Sequence, residues 1–206
     1  MFHPRKNEQG GLVKLKSPST PTPLSTWAQP GSVARVIPDG DMPAEVNGLA
    51  IAPWSDAPTT AGGWEALAST QPLDEPPFVA PAGYKRAAGA VVCEPDGRVW
   101  VVAPSNAWAG YLATFPKGTM EGKSTQATAL AEVFEEAGLQ IRLTKFLLDV
   151  KRTDSFTRYF MAERLGGNPA KMCWESQAVM LVPRSALPQV LNSAKDVPII
   201  EALQGL

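Results

Sequence analysis

Glu132, Glu135 and Glu136 fall within five residues of one another near the middle of the chain, in Leu130-Ala-Glu-Val-Phe-Glu-Glu-Ala-Gly138. The segment reads as a helix that stops at Gly138. At roughly 100° per residue the three glutamates are neighbours at i, i+3 and i+4. Leu130, Phe134 and Ala137 fall on the opposite face, where a core would lie. Glu135 and Glu136 also occupy the last turn, where the macrodipole disfavours negative charge. Three carboxylates so placed are either a solvated acidic face or the ligands of a cation. A hard divalent ion, Mg2+ or Mn2+, suits such oxygen donors.

The surrounding order adds to this reading. Phe115-Pro-Lys-Gly118 leads through a short loop into the acidic helix, which closes on Glu135-Glu136-Ala-Gly138-Leu139. The order resembles the Nudix box: a Gly, five residues, a Glu, seven residues, Arg-Glu, an aliphatic, any residue, Glu-Glu, any residue, Gly and an aliphatic. Glu132, Val133, Glu135, Glu136, Gly138 and Leu139 are in register. The first half departs from the pattern: Ala131 replaces the box Arg, Lys123 replaces the first box Glu, and four residues rather than five separate Gly118 from Lys123.

The resemblance covers about residues 84–204 and implies an α+β fold, a mixed sheet sandwiched between helices. It implies a hydrolase that cleaves the pyrophosphate of a nucleoside diphosphate linked to another moiety, such as ADP-ribose or a dinucleoside polyphosphate. Glu132, Glu135 and Glu136 would be its catalytic residues and the ligands of Mg2+ or Mn2+. Glu175, ahead of the last core strand, is the candidate for a further metal ligand. The two departures leave open a Nudix-fold nucleotide-binding or interaction module with weak or no hydrolysis.

Three basic residues are candidates for substrate phosphate. Lys117 precedes the box glycine and can act as a point charge, or it is a solvated loop lysine. Lys123 either pairs with a box glutamate or projects toward phosphate. Arg158 lies on a strand expected at the substrate side, where its planar fork suits bidentate contact.

Composition narrows the class. The 206 residues carry a net charge of −1, with no basic excess to draw nucleic acid. No run approaches the ~18 apolar residues of a membrane span, and the charged, Pro-broken start carries no apolar signal stretch. Cys93 and Cys173 form neither a disulfide framework nor a metal pair. A cytoplasmic protein acting on a small nucleotide-type molecule is expected.

Thirteen of the 20 prolines precede residue 83. Residues 1–24 read as a flexible leader. Residues 25–83 read as an accessory segment and linker, with a hairpin and a short helix, in which Trp27, Trp54 and Trp64 must pack onto the main domain or a second subunit. A homodimer is one way to meet that need. From residue 84 strands are expected at 86–94, 98–103, 140–150, 157–163 and 177–182, another short one within 108–115, and helices at 185–191 and 197–203.

Overall fold

The computed structural model describes residues 1–107 and 110–205. The strands are β1 (Ala34–Val36), β2 (Glu45–Val46), β3 (Leu49–Ala50), β4 (Lys85–Cys93), β5 (Arg98–Pro104), β6 (Lys117–Thr119), β7 (Leu139–Lys151), β8 (Ser155–Gly167) and β9 (Ser176–Pro183). The helices are α1 (Ala61–Ser69), α2 (Thr125–Ala137), α3 (Leu187–Val190) and α4 (Val197–Gln204). Among the described residues, seven strands form one sheet in the order β1-β9-β5-β4-β8-β7, with β6 also paired to β4. β4 and β8 run parallel and the other pairs antiparallel, so the sheet is mixed.

Side-chain alternation along the strands builds two cores from one sheet. Ala88, Ala90, Val92, Trp100, Phe160 and Leu181 face α1 and α2. Val91, Val101, Tyr159, Met161, Met180 and Val182 face α3 and α4. The eight residues of α4 are too few for a helix stable by itself. Burial of Ile199, Ile200 and Leu203 holds it in place, each side chain contributing about 1.5–3 kcal/mol.

Helix α2 starts at Ser124, whose hydroxyl accepts the Ala127 N–H, and ends at Gly138 with φ +66°. A side chain at Gly138 would also overlap the Asn168 carbonyl, so this end requires glycine on two counts. The strands expected at 86–94, 98–103, 140–150, 157–163 and 177–182 all form, the last three longer than expected. Trp108 and Ala109, part of the expected short strand, lie outside the described residues; downstream, Thr114 bridges Val102.

In the accessory segment the runs 33–37 and 45–51, expected as the two arms of a hairpin, do not pair with each other. Residues 33–37 supply β1, which extends the main sheet beside β9, while β2 and β3 pair with each other. The tryptophans do pack onto the domain. Trp27 lies 5.8 Å from Trp100, and Trp54 and Trp64 lie 5.3 and 5.9 Å from Phe134 of α2. Phe134, expected to face a core, packs against that core and these two rings. Buried Arg164 ties the segment down further, donating to the Val46 carbonyl and to Glu94.

Residues 1–24, expected as a flexible leader, are laid on the domain in this structure. Within them residues 2–14 form a hairpin, with Phe2 bridged to Lys14, that meets the start of β9. His3 is 3% exposed; its Nε2–H donates to the Ser176 carbonyl, and its Nδ1 accepts the Arg5 N–H. Gln177 accepts the Ser19 N–H and donates to the Ser17 carbonyl. Few apolar residues hold this segment, which is why composition hid it; polar backbone groups do. Among the described residues, no helix is long and apolar enough to cross a membrane.

Candidate functional site

Glu132 and Glu136 sit one turn apart on α2, and Glu175 approaches from the residue before β9. One carboxylate oxygen from each lies within 4.8 Å of the others. Among the described residues no ion pair reaches any of the three. The Lys117 backbone N–H donates to Glu136 at 2.9 Å.

The loop comes this close because of Gly118. A Cβ there would overlap the Glu132 carboxylate itself. Any other residue must push the loop or the glutamate away.

Packing three carboxylates together and burying two of them favours their neutral forms. Burial, and then the neighbouring Glu136, Glu135 and Glu175, push Glu132 well above the usual carboxylate range, with Lys123 opposing. Burial raises Glu136 to about 7 against the opposing pull of Lys117. Glu175 is raised by burial and by Glu135. Such a group fits a divalent cation, which takes oxygen ligands and offsets their repulsion.

Glu135 does not join the three. Its side chain is exposed, and Glu175 holds the third place instead. The loop bearing Gly118 and the start of β9 close over one edge of α2 only. Glu132 and Glu136 fall under that edge.

A cavity of about 250 Å3 opens beside the carboxylates, walled by Glu136, Glu175, Lys117, Arg152, Tyr111 and Trp174. Val13 of the N-terminal hairpin also lines it. Lys117, a candidate for substrate phosphate, is among the residues that line this cavity. Lys123 lies near enough to Glu132 and Glu135 to favour their charged forms. It borders a separate depression with Lys85 and Arg86.

Arg158 is not available to substrate. It is 1% exposed, forked onto Asp149 at 2.8 Å through both nitrogens and bonded to Glu75 at 2.6 Å. The rings of Phe78 and Phe146 lie 4.6 and 4.8 Å from it. The same planar fork that suits phosphate has been taken up by a carboxylate of the neighbouring strand.

Arg152, rather than Arg158, reaches the cavity wall, held by Asp196 at 2.8 Å and by the Tyr159 hydroxyl. Tyr111 and Trp174 were not singled out from sequence. The only signal for Trp174 was its place beside Glu175.

The NUDIX domain matches residues 83–201. No curated protein matches the chain. A NUDIX hydrolase structure from Nitrosomonas europaea is similar at 18% identity and a TM-score of 0.50, over 84% of this chain and 86% of that one. Another structure described as a NUDIX hydrolase from the same organism gives 14% identity and a TM-score of 0.52, over 59% and 89%. A UDP-X diphosphatase gives 16% identity and a TM-score of 0.47 over 62% of this chain, which spans 66% of that protein. At these identities the likeness is one of fold. The domain match itself takes in more than half of the chain, including both box glutamates of the cluster and Glu175, and the chain belongs to the Nudix family.

Proposed function

We propose that this protein is a metal-dependent hydrolase that cleaves a pyrophosphate bond in a nucleoside diphosphate linked to another moiety, with ADP-ribose and dinucleoside polyphosphates as the class. One observation carries the reading. Three carboxylates converge within 4.8 Å, with no ion pair to any of them among the described residues, and two of them, Glu136 and Glu175, wall a cavity that Lys117 also lines.

In this reading Glu132, Glu136 and Glu175 would hold Mg2+ or Mn2+. Once bound, the ion supplies charge neutralisation and Lewis acidity at the pyrophosphate. The chain's own groups do the rest. The Lys117 N–H fixes the rotamer of Glu136, and Gly118 leaves the clearance that Glu132 needs. The Lys117 ammonium offers a point charge to a phosphate oxygen. Arg152, clamped by Asp196 and Tyr159, gives the far wall a fixed cation that cannot swing into the carboxylates.

Lys123, close to Glu132 and Glu135, is the observation behind a second reading, a nucleotide-binding module with weakened metal affinity. A substrate panel with Mg2+ and Mn2+, read by phosphate release after a phosphatase step, tests both. Hydrolysis of ADP-ribose or a dinucleoside polyphosphate that is lost in Glu136→Gln supports the enzyme. Saturable quenching of tryptophan fluorescence by the same compounds, with no turnover, supports the module.

A further inference from the structure

The carboxylate-bearing helix is gripped at its opposite end by residues outside the matched domain. Glu65 of α1 accepts the Ser124 N–H at 2.5 Å through one oxygen and the Ser124 hydroxyl at 2.9 Å through the other. Glu75 of the linker accepts the Thr125 hydroxyl at 2.6 Å and the Gln126 amide at 3.0 Å, and its second oxygen binds Arg158. Gln126 in turn closes on the Leu73 backbone, donating at 2.7 Å and accepting at 3.2 Å. Neither glutamate lines the cavity.

Two negative charges at the start of α2 complement its dipole and satisfy donors of its first turn. Lys123 stands immediately before Ser124, where the family pattern has a glutamate. The carboxylates at this end of the helix come from upstream instead. Ala131, in place of the box arginine, is fully buried against the sheet and offers no polar brace within the helix.

Glu132 lies eight positions after Ser124, about 12 Å along a helix rising 1.5 Å per residue. Over that length an α-helix moves as a rigid rod. A shift or rotation of the first turn is delivered to Glu132 and Glu136, whose oxygens must converge with Glu175.

We propose that Glu65 and Glu75 are positioning residues through which the accessory segment sets the placement of α2 and so the cation affinity of the glutamate cluster. The inference rests on the hydrolase reading above. It goes further in assigning the accessory segment a part in that site.

The test uses the full chain and Mn2+ alone, titrated by electron paramagnetic resonance of the free ion. Loss of groups that orient metal ligands typically costs about tenfold in affinity. Glu65→Gln combined with Glu75→Gln should weaken Mn2+ binding by that order, and half-saturating Mn2+ for turnover should rise in parallel while KM holds. Ile200→Ala, in α4 on the far side of the sheet, serves as a control that lowers melting temperature by packing loss alone. It should leave Mn2+ affinity unchanged.

Unchanged affinity in the double variant overturns the proposal, as does an equal loss in the control at matched melting temperature. If the double variant does not fold, Glu65→Gln alone, which keeps the Arg158–Glu75 pair, must still weaken Mn2+ binding. Absence of Mn2+ binding by the native chain defeats the hydrolase reading itself, and is distinguishable because it precedes any substitution.

Discussion

Without metal, the protein should lose stability as pH rises from 5 to 7.5. The cause is the buried pair on α2. Glu136 titrates near 7 in the folded state against an ordinary 4.5, and Glu132 is displaced in the same direction. Between those pH values the unfolded chain has released protons that the native state still holds. The unfolded state therefore binds fewer protons, and stability falls with pH.

For Glu136 the displacement is about 2.5 units at about 1.4 kcal/mol each, or about 3 kcal/mol in all. In a chain of this size that corresponds to a melting temperature lower by about 6–12 °C. Asp39 and Asp96 are shifted downward, so their stabilisation is lost only below this window. His3 is held toward its neutral form by burial, and it opposes the trend only below its ordinary value of 6.5.

Comparison with Glu136→Gln isolates the glutamate. The variant should melt higher than the native protein at pH 7.5 in chelator and show a shallower pH dependence, while losing activity. Mg2+ or Mn2+ should raise the native protein's melting temperature at pH 7.5 and leave the variant nearly unmoved. Calorimetry in chelator across pH 5–7.5 decides the matter. If native and variant curves run parallel, Glu136 does not carry the raised affinity for its proton and the argument from burial fails.

Three further outcomes follow from the geometry. Gly118→Ala should cost about a hundredfold in turnover, the order associated with a displacement of about 1 Å at a reacting centre, with melting little changed; retained turnover would show that the loop has room. Arg158→Ala should remove about 3 kcal/mol of stability by stranding Asp149 and Glu75, with KM unchanged; a large KM rise at unchanged melting would return Arg158 to the substrate. Lys123→Glu should lower half-saturating Mg2+, since a cation near Glu132 and Glu135 is replaced by a carboxylate; no change in metal dependence would place Lys123 outside the field of the site.

The sheet was legible because its strands alternate cleanly between two cores, and α2 because Ser124 and Gly138 mark its ends. The box glutamates were legible as a helical patch, yet a helical wheel treats Glu135 as the equal of Glu132 and Glu136. Only the closing loop and β9 distinguish them, and neither is visible in helical spacing. Glu175 enters through the pairing of β5 with β9, where the register shifts between Ala103 and Pro104 and Ser105 donates to the Glu175 carbonyl. Arg158 was misassigned because its partners, Asp149 and Glu75, lie 9 and 83 residues away. The N-terminal hairpin was hidden for a different reason. Proline and polarity mark a segment with little apolar surface to bury, but say nothing of the carbonyls and amides that can hold it.

The pairing of Ala34 with Leu181 bears on how the chain is made. During synthesis β1 emerges long before β9, its partner in the sheet. It must wait unpaired while most of the chain is added. A three-residue strand flanked by prolines is poorly suited to pairing with anything else in the meantime, which keeps that wait safe. The converse holds for β9. A fragment cut at the family boundary, from residue 83 onward, would leave the apolar run Ala178-Val-Met-Leu-Val182 as an open edge, and such an edge recruits other chains. The proline-rich segment covers that edge through β1, so a fragment starting at residue 83 is expected to self-associate where the full chain does not, an outcome that size-exclusion chromatography of the two would check.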